Sequence, residues 1–270
     1  MTDQPASSSG KWDDLKQRVL SAIAMVAIGV IGVWAGGFWI HALVAIAAGM
    51  MVWELVRMVD TNVPSKALWL GVVSALALFI ASYAPAPVFI LPLLLAPAFV
   101  GYGQVSSGKK MVAPYIAVIL CAGFGLIALR DDFGILWMTW LLIVVVGTDV
   151  AGYFAGRLLG GPKFWPAISP KKTWSGTIAG WICAALIGLL FAALFNGGPH
   201  VIWVSIVVAF ASQLGDIAES AIKRRTGVKD SSNLIPGHGG LLDRFDGLLG
   251  AALILVLIEL IIIFPPAASL

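Results

Sequence analysis

Long apolar stretches separated by short polar connections recur along the whole chain. Nine of them approach the length that crosses a hydrocarbon core of about 30 Å at roughly 1.5 Å per residue. They fall at 19–35, 38–56, 67–84, 88–100, 111–129, 135–152, 177–195, 201–222 and 245–264. Barrel strands would alternate every second residue over short segments, so unbroken runs of this kind specify helices. The pattern predicts an all-α integral membrane protein, a polytopic bundle of about nine transmembrane helices. The fourth run is short and holds Pro92 and Pro97, which leaves a kinked crossing and a re-entrant segment both open. The first eighteen residues are polar and no small-residue cleavage site follows the first run convincingly, so that run reads as an anchor, not a removed signal.

Composition excludes a water-soluble domain. Of the 270 residues 60% are hydrophobic and 11% charged, against about 45–50% and about 25% in soluble domains, and the mean hydropathy is +0.96. The net charge of +3 says little until each cation is placed, and sixteen of the 17 basic residues then fall in connections on one side of the membrane. The exception is Arg130. That side is expected to be cytoplasmic, with the N-terminus inside, the C-terminus outside and the protein in the cell (inner) membrane; the regular alternation favours a crossing by the fourth run. No nucleic-acid partner is expected. Cys121 and Cys183 lie in apolar runs without metal-ligand spacing and read as packing residues. Trp34, Trp39, Trp53, Trp69, Trp137, Trp140 and Trp203 lie near segment ends, where an aromatic belt would place them.

The ionisable residues within the apolar runs divide the chain. Residues 1–134 read as an N-terminal transmembrane scaffold and 135–270 as a C-terminal transmembrane domain that holds most of the intramembrane ionisable groups and is the candidate for any catalytic role. In the eighth run Asp216, Glu219, Ser220 and Lys223 stand at i, i+3, i+4 and i+7 and form one polar stripe. An internal ion-pair ladder and a functional site both account for it, because carboxylates at membrane depth must face protein, water or a cation. In the sixth run Asp149, Gly152, Tyr153, Gly156, Arg157 and Gly160 share a face. Helix packing explains those glycines but not the aspartate. Ser169-Pro170-Lys171-Lys172-Thr173-Trp174-Ser175-Gly176 then leads into the seventh run, where free N–H groups and two lysines suit an anion, or equally a basic cluster resting on anionic lipid.

The densest stretch runs from Ser220 to Asp246. It holds Lys223, Arg224, Arg225 and Lys229, a Gly237-His238-Gly239-Gly240 turn, and Asp243 and Asp246 at i and i+3. Glycines there permit close backbone approach to phosphate, and the two aspartates suit Mg2+, which takes one or two carboxylates plus phosphate oxygens. A solvated loop would mix its polar residues more loosely.

This stretch resembles the C-terminal signature of the CTP-dependent phosphatidate cytidylyltransferases, also called CDP-diacylglycerol synthases: Ser220-x-hydrophobic-Lys223-Arg224, four residues, Lys229-Asp230, then Pro236-x-His238-Gly239-Gly240 and Asp243-Arg244-x-Asp246. The blocks around Asp149-Tyr153-Arg157 and Ser169–Trp174 resemble others of that family, so motifs cover about the last half of the chain. Ser175 stands where many members carry Glu or Gln, and Gly152 where Ala is usual.

The resemblance implies the reaction of CTP with phosphatidate to give CDP-diacylglycerol and diphosphate, at the cytoplasmic membrane face in phospholipid biosynthesis. It implies Mg2+, with a second cation such as K+ or another Mg2+. Asp216 and Asp243 are the expected ligands, with Asp149, Asp246 or Glu219 completing a second site or its surroundings. Lys171, Lys172, Lys223 and Arg224 would neutralise phosphate charge, and His238 would donate to a phosphate or shape its turn. Arg157 and Lys229 would meet the lipid headgroup, while Ser169, Thr173, Ser220, Asp230, Gly239, Gly240 and Arg244 complete the expected substrate-binding set. No Ser or Cys is paired with an evident base, so no covalent intermediate is expected. A homodimer in the bilayer is expected. A transporter or channel also uses intramembrane carboxylates, but places them near the midplane beside broken helices. Another CTP-using lipid enzyme, a polyprenol kinase or an archaeal-lipid cytidylyltransferase, would share much of the chemistry.

Overall fold

The computed structural model describes residues 9–262 and 264 apart from residue 196, with side chains from residue 15 onward. The placement expected for the C-terminus concerns residues outside the described ones. Eight helices and one hairpin follow in order: α1 (Ser9–Ala35), α2 (Gly37–Val59), α3 (Pro64–Ala81), α4 (Pro87–Gln104), α5 (Lys109–Leu158), β1 (Lys163–Trp165), β2 (Ser169–Thr173), α6 (Trp174–Leu194), α7 (His200–Thr226) and α8 (Leu242–Glu259). Among the described residues α1 to α7 are the seven helices long and apolar enough to cross a membrane.

Every apolar run expected to cross has a helical counterpart, with three adjustments. The fifth and sixth runs share the 50-residue α5. A straight helix of that length would extend roughly 75 Å, more than twice the hydrocarbon core, but α5 is broken at Gly134, whose φ of 80° and ψ of −172° only glycine adopts without strain. The fourth run is one continuous helix of 18 residues with Pro92 and Pro97 inside it, so the prolines do not divide it. The last run stops being helical at Glu259. Gly160 follows the end of α5, so the stripe expected in the sixth run closes at Arg157. The antiparallel pairing of β1 with β2 adds the one element that an all-α reading lacks.

Large apolar side chains project outward from the bundle: Trp203 is 71% exposed and Val26, Ile31 and Leu186 lie open in the same way. Such surface is anomalous in water and ordinary in lipid, where packing holds helices together without a hydrophobic drive. Trp34, Trp39, Trp69 and Trp203 are exposed as a belt requires. Trp137 and Trp140 are instead buried, stacked edge-on at 5.8 Å and both packed on Phe264. The Trp140 indole N–H donates to Ser205 at 3.1 Å, which satisfies the polar end that would otherwise seek the interface.

The polar ends are fastened individually. Arg130 donates from Nε to the Val33 carbonyl at 2.7 Å and so caps α1. His41 joins Asp131 at 2.6 Å and Ser82 at 2.9 Å, tying α2, α3 and α5 together. At the opposite end Asp60 accepts from the Ser106 backbone at 2.8 Å. That bond holds its carboxyl below the usual carboxylate range, against the opposing effect of burial, with Asn62 and Ser107 assisting.

Close approach of α7 and α8 sets the position of everything polar between them. A β-carbon on Gly250 would stand 3.0 Å from the carbonyl carbon of Ala211 and 3.1 Å from Gly215 Cα, and one on Gly247 would stand 2.8 Å from Ser212 Oγ. Gly250→Val therefore has to push the helices apart. It is expected to cost about 1–3 kcal/mol by overpacking, seen as a lower unfolding midpoint in detergent. Gly29→Ala, where nothing lies within 4 Å, should stay within about 0.5 kcal/mol of the parent; equal effects at the two sites would contradict the packing account.

Candidate active site

The second half of α5, the hairpin, α6, α7 and the start of α8 bring the expected polar groups to one end of the bundle. Glycines allow this locally. A β-carbon on Gly152 would meet the Gly176 carbonyl oxygen at 3.2 Å, and one on Gly156 would meet Thr173 Oγ1 at 2.8 Å. Thr173 closes the hairpin and caps α6, its Oγ1 accepting from the Gly176 N–H at 3.2 Å. It is also hydrogen-bonded to Ser175 at 3.0 Å, whose hydroxyl donates to the Gly160 carbonyl. Ser175 thus fastens the α5–β1 connection to α6.

The residue before this cap is Lys172. Its Nζ lies 2.6 Å from Asp216 Oδ2 and donates to the Gln213 carbonyl at 3.3 Å. Gln213 is itself fixed, its Oε1 accepting from the Trp181 indole at 3.0 Å and its Nε2 donating to the Thr177 carbonyl at 3.3 Å. Ser220 Oγ donates to Asp216 Oδ1 at 3.2 Å, one turn along α7. Lysine and carboxylate are thereby held from three sides.

A second lysine node lies one turn further. Lys223 Nζ is 2.5 Å from Glu219 Oε2 and 2.8 Å from Asp243 Oδ1. The Glu219 carboxylate is buried without a hydrogen bond of good geometry, so the ion pair is its compensation. Asp243 accepts further from the Ser231 backbone at 2.9 Å, Ser231 Oγ at 3.0 Å and the Gly240 backbone at 2.8 Å. Both its oxygens are therefore engaged by protein donors. Asp246 accepts from the Gly247 N–H at 2.7 Å and lies within electrostatic reach of Asp216 and Asp149. Asp149 lies within electrostatic reach of Lys172 and Asp216.

The turn expected to cradle phosphate is closed by Ile235 and Gly239, whose backbones pair at 2.8 Å. Gly237 and Gly239 have φ of 74° and 87°. Gly240 serves differently, because a β-carbon there would fall 2.6 Å from Glu54 Oε1. His238 Nδ1 is 2.8 Å from Ser21 Oγ, and its carbonyl accepts two bonds from Arg244, at 3.0 and 2.7 Å. In this geometry His238 and Arg244 brace the turn.

Other expected residues stand at the rim. Arg224 Nε donates to the Ile168 carbonyl at 3.4 Å, linking α7 to the hairpin. Arg157 donates to Tyr153 Oη at 2.8 Å on an exposed surface. Lys171, Lys229 and Asp230 are exposed, and Ser169 is half-buried at the start of β2. Among the described residues no group of three His, Cys, Asp or Glu side chains forms a ready-made metal cage.

Two contributors come from the half expected to be mere scaffold. Glu54 of α2, fully buried, accepts from Ser232 Oγ at 2.6 Å and from the backbone N–H groups of Leu241 and Leu242 at 2.9 and 2.7 Å. It caps α8 from another helix. Ser21 of α1 holds His238 and also donates to the Pro236 carbonyl at 3.0 Å. An ionisable group inside an apolar run was a signal for Glu54; nothing in local spacing marked Ser21.

The model of the family described as "Cytidylyltransferase family" matches residues 16–262. The chain is 37% identical over 268 residues to a phosphatidate cytidylyltransferase of Brucella suis, covering 95% of this chain and 97% of that one. It is 31% identical over 269 residues to the Bacillus subtilis protein of the same name, covering 87% and 94%. A Helicobacter pylori protein, also so named, is 41% identical over 132 residues, 48% of this chain and 49% of its own.

Glu54→Ala deletes the acceptor shared by Leu241, Leu242 and Ser232. Leaving buried donors unpaired should cost about 3 kcal/mol, read as faster hydrogen exchange at the Leu241 and Leu242 amides. Unchanged protection of those amides would remove Glu54 from this role.

Proposed function

We propose, from the premise that the chain belongs to the cytidylyltransferase family, that it catalyses the reaction of CTP with phosphatidate to give CDP-diacylglycerol and diphosphate. It is then a nucleotidyltransferase of phospholipid biosynthesis, as the names of its bacterial relatives support. The observation that carries the assignment to this site is the pair of lysine–carboxylate nodes on α7, Lys172 with Asp216 and Lys223 with Glu219 and Asp243. A phosphate monoester must approach a triphosphate that already bears several negative charges, so positioned cations and in-line geometry are what the reaction needs. A phosphatidate oxygen forms the bond to the α-phosphorus of CTP, the bond from that phosphorus to the bridging β oxygen breaks, and diphosphate leaves with the electron pair. Lys172 and Lys223, already held by carboxylates, face the phosphates with Lys171 and Arg224 at the rim. Arg157 and Lys229 are proposed for the lipid headgroup. Ser169, Thr173, Ser220, Asp230, Gly239, Gly240 and Arg244 shape the binding surface, and His238 shapes its turn.

The donor set fits a hard divalent cation. Asp149, Asp216 and Asp246 face one another electrostatically, and Mg2+ needs only one or two carboxylates when substrate phosphates supply the rest. We assign Mg2+ to Asp216 and Asp246, with Asp149 proposed for a second cation such as K+ or another Mg2+. Asp243 would join them only by releasing protein donors. Bound there, the ion neutralises charge developing on the phosphate oxygens.

In this reading the helices cross as nine spans, α5 counting twice about Gly134, with the N-terminus and the site at the cytoplasmic face of the inner membrane and the C-terminus outside. The division at residue 134 is retained, amended by the contributions of Ser21 and Glu54. The expected homodimer is retained as well. The transporter alternative gains nothing from α5, whose break at Gly134 falls at the join of two spans, fifteen residues before Asp149.

Purified protein given labelled CTP and a panel of lipid acceptors should make a labelled product with phosphatidate and not with a polyprenol. Asp216→Asn should lower turnover by at least about a hundredfold with folding intact, and a chelator should halt the parent enzyme. Parent-like rates in the variant, or in metal-free medium, would overturn the proposed roles.

A further inference from the structure

The ends of α2, α5 and α7 do not close on one another at the face that carries the basic connections. A groove of about 820 Å3 opens between them, lined by neither lysine node of the active site. Pro114 and Val118 of α5 and Ala218 and Ile222 of α7 give it an apolar floor. Lys110, near the start of α5, and Arg225, near the end of α7, line the same groove. Among the described residues neither has a carboxylate within 4 Å, since the ion pairs there involve other groups. Two cations without a carboxylate partner beside an apolar trough would be complemented by a bound anion.

Helical spacing separates this groove from the reacting groups. Ala218, Ile222 and Arg225 lie on one face of α7, while Asp216, Ser220 and Lys223 lie roughly opposite. A molecule in the groove would therefore have to pass around α7 to reach the Lys172–Asp216 node. The two places share one wall: Tyr115 lines the groove and lies within electrostatic reach of Glu219, Asp246 and Asp216.

We infer that the groove binds an anionic phospholipid of the cytoplasmic leaflet, distinct from the molecule that reacts. Lys110 and Arg225 take its phosphate, and the apolar floor takes the upper part of an acyl chain. Charge complementarity selects an anion and the floor selects a lipid over a free phosphate. Basic pockets between helices at this membrane level hold lipid headgroups in the same way. The inference rests on the orientation proposed above but not on the nucleotidyl transfer, so a chain lacking that activity could still show the site.

The test uses the full chain in nanodiscs of phosphatidylcholine, with spin-labelled phosphatidylglycerol as probe and spin-labelled phosphatidylcholine as neutral control. The parent should immobilise the anionic probe preferentially. The double variant Lys110→Ala with Arg225→Ala should lose that preference by at least about tenfold, while its turnover with saturating phosphatidate in neutral nanodiscs stays at the parent level. If the alanine variant does not fold, Lys110→Gln with Arg225→Gln gives the same reading, and Lys110→Arg with Arg225→Lys should retain the preference. Soluble glycerol phosphate should not displace the probe. Equal preference in parent and variant overturns the proposal. Displacement by glycerol phosphate does so by indicating a free-anion site. A raised KM for phosphatidate in the double variant also does so, because the groove would then be the route of the reacting lipid.

Discussion

A charge or a backbone N–H buried away from water must find a partner inside the protein, and this constraint organises the molecule. The apolar bundle has few polar groups to offer, so internal carboxylates such as Glu54 and Asp243 each serve several donors. Glu54 is the clearest case. Fully buried in α2, it accepts from the first backbone groups of α8 and from Ser232 of the preceding loop. Without that acceptor, the helix that carries Asp243 and Asp246 would begin in an apolar medium with bare N–H groups. A helix of the first half therefore determines where α8 starts.

The same economy explains the two lysine nodes. Lys172 pairs with Asp216, while Lys223 sits between Glu219 and Asp243, and Asp243 in turn holds the Ser231 and Gly240 backbone. Such an arrangement keeps each cation paired with a carboxylate in an apolar bundle. Glycines at the contacts of α5 with α6 and of α7 with α8 bring the backbones close enough for short side chains to meet. Positioning arises from backbone proximity, and charge from a few residues.

Much of this was legible in the residues alone. Apolar run length located the helices, and the stripe Asp216, Glu219, Ser220, Lys223 is one polar face of α7 with its members paired as spacing allows. What escaped was set by long-range contact. Glu54 and Ser21 act 187 and 217 residues from their partners Leu241 and His238, and no local pattern encodes such distances. The β1–β2 hairpin was hidden because its residues read equally as a basic loop. Trp137 and Trp140 looked like belt residues, but Phe264 and Ser205 give them partners inside. Asp243, expected as a metal ligand from its spacing with Asp246, also accepts from Ser231 and Gly240, contacts that no local pattern encodes.

On the function proposed here, the two nodes hold two phosphate substrates for one direct displacement, without a covalent enzyme intermediate. The stereochemical course at phosphorus tests it most directly. CTP carrying a chiral phosphorothioate at the α position should give CDP-diacylglycerol of inverted configuration, as a single in-line displacement requires. Retention would mean two displacements and a nucleotidylated residue on the enzyme, which a direct displacement excludes.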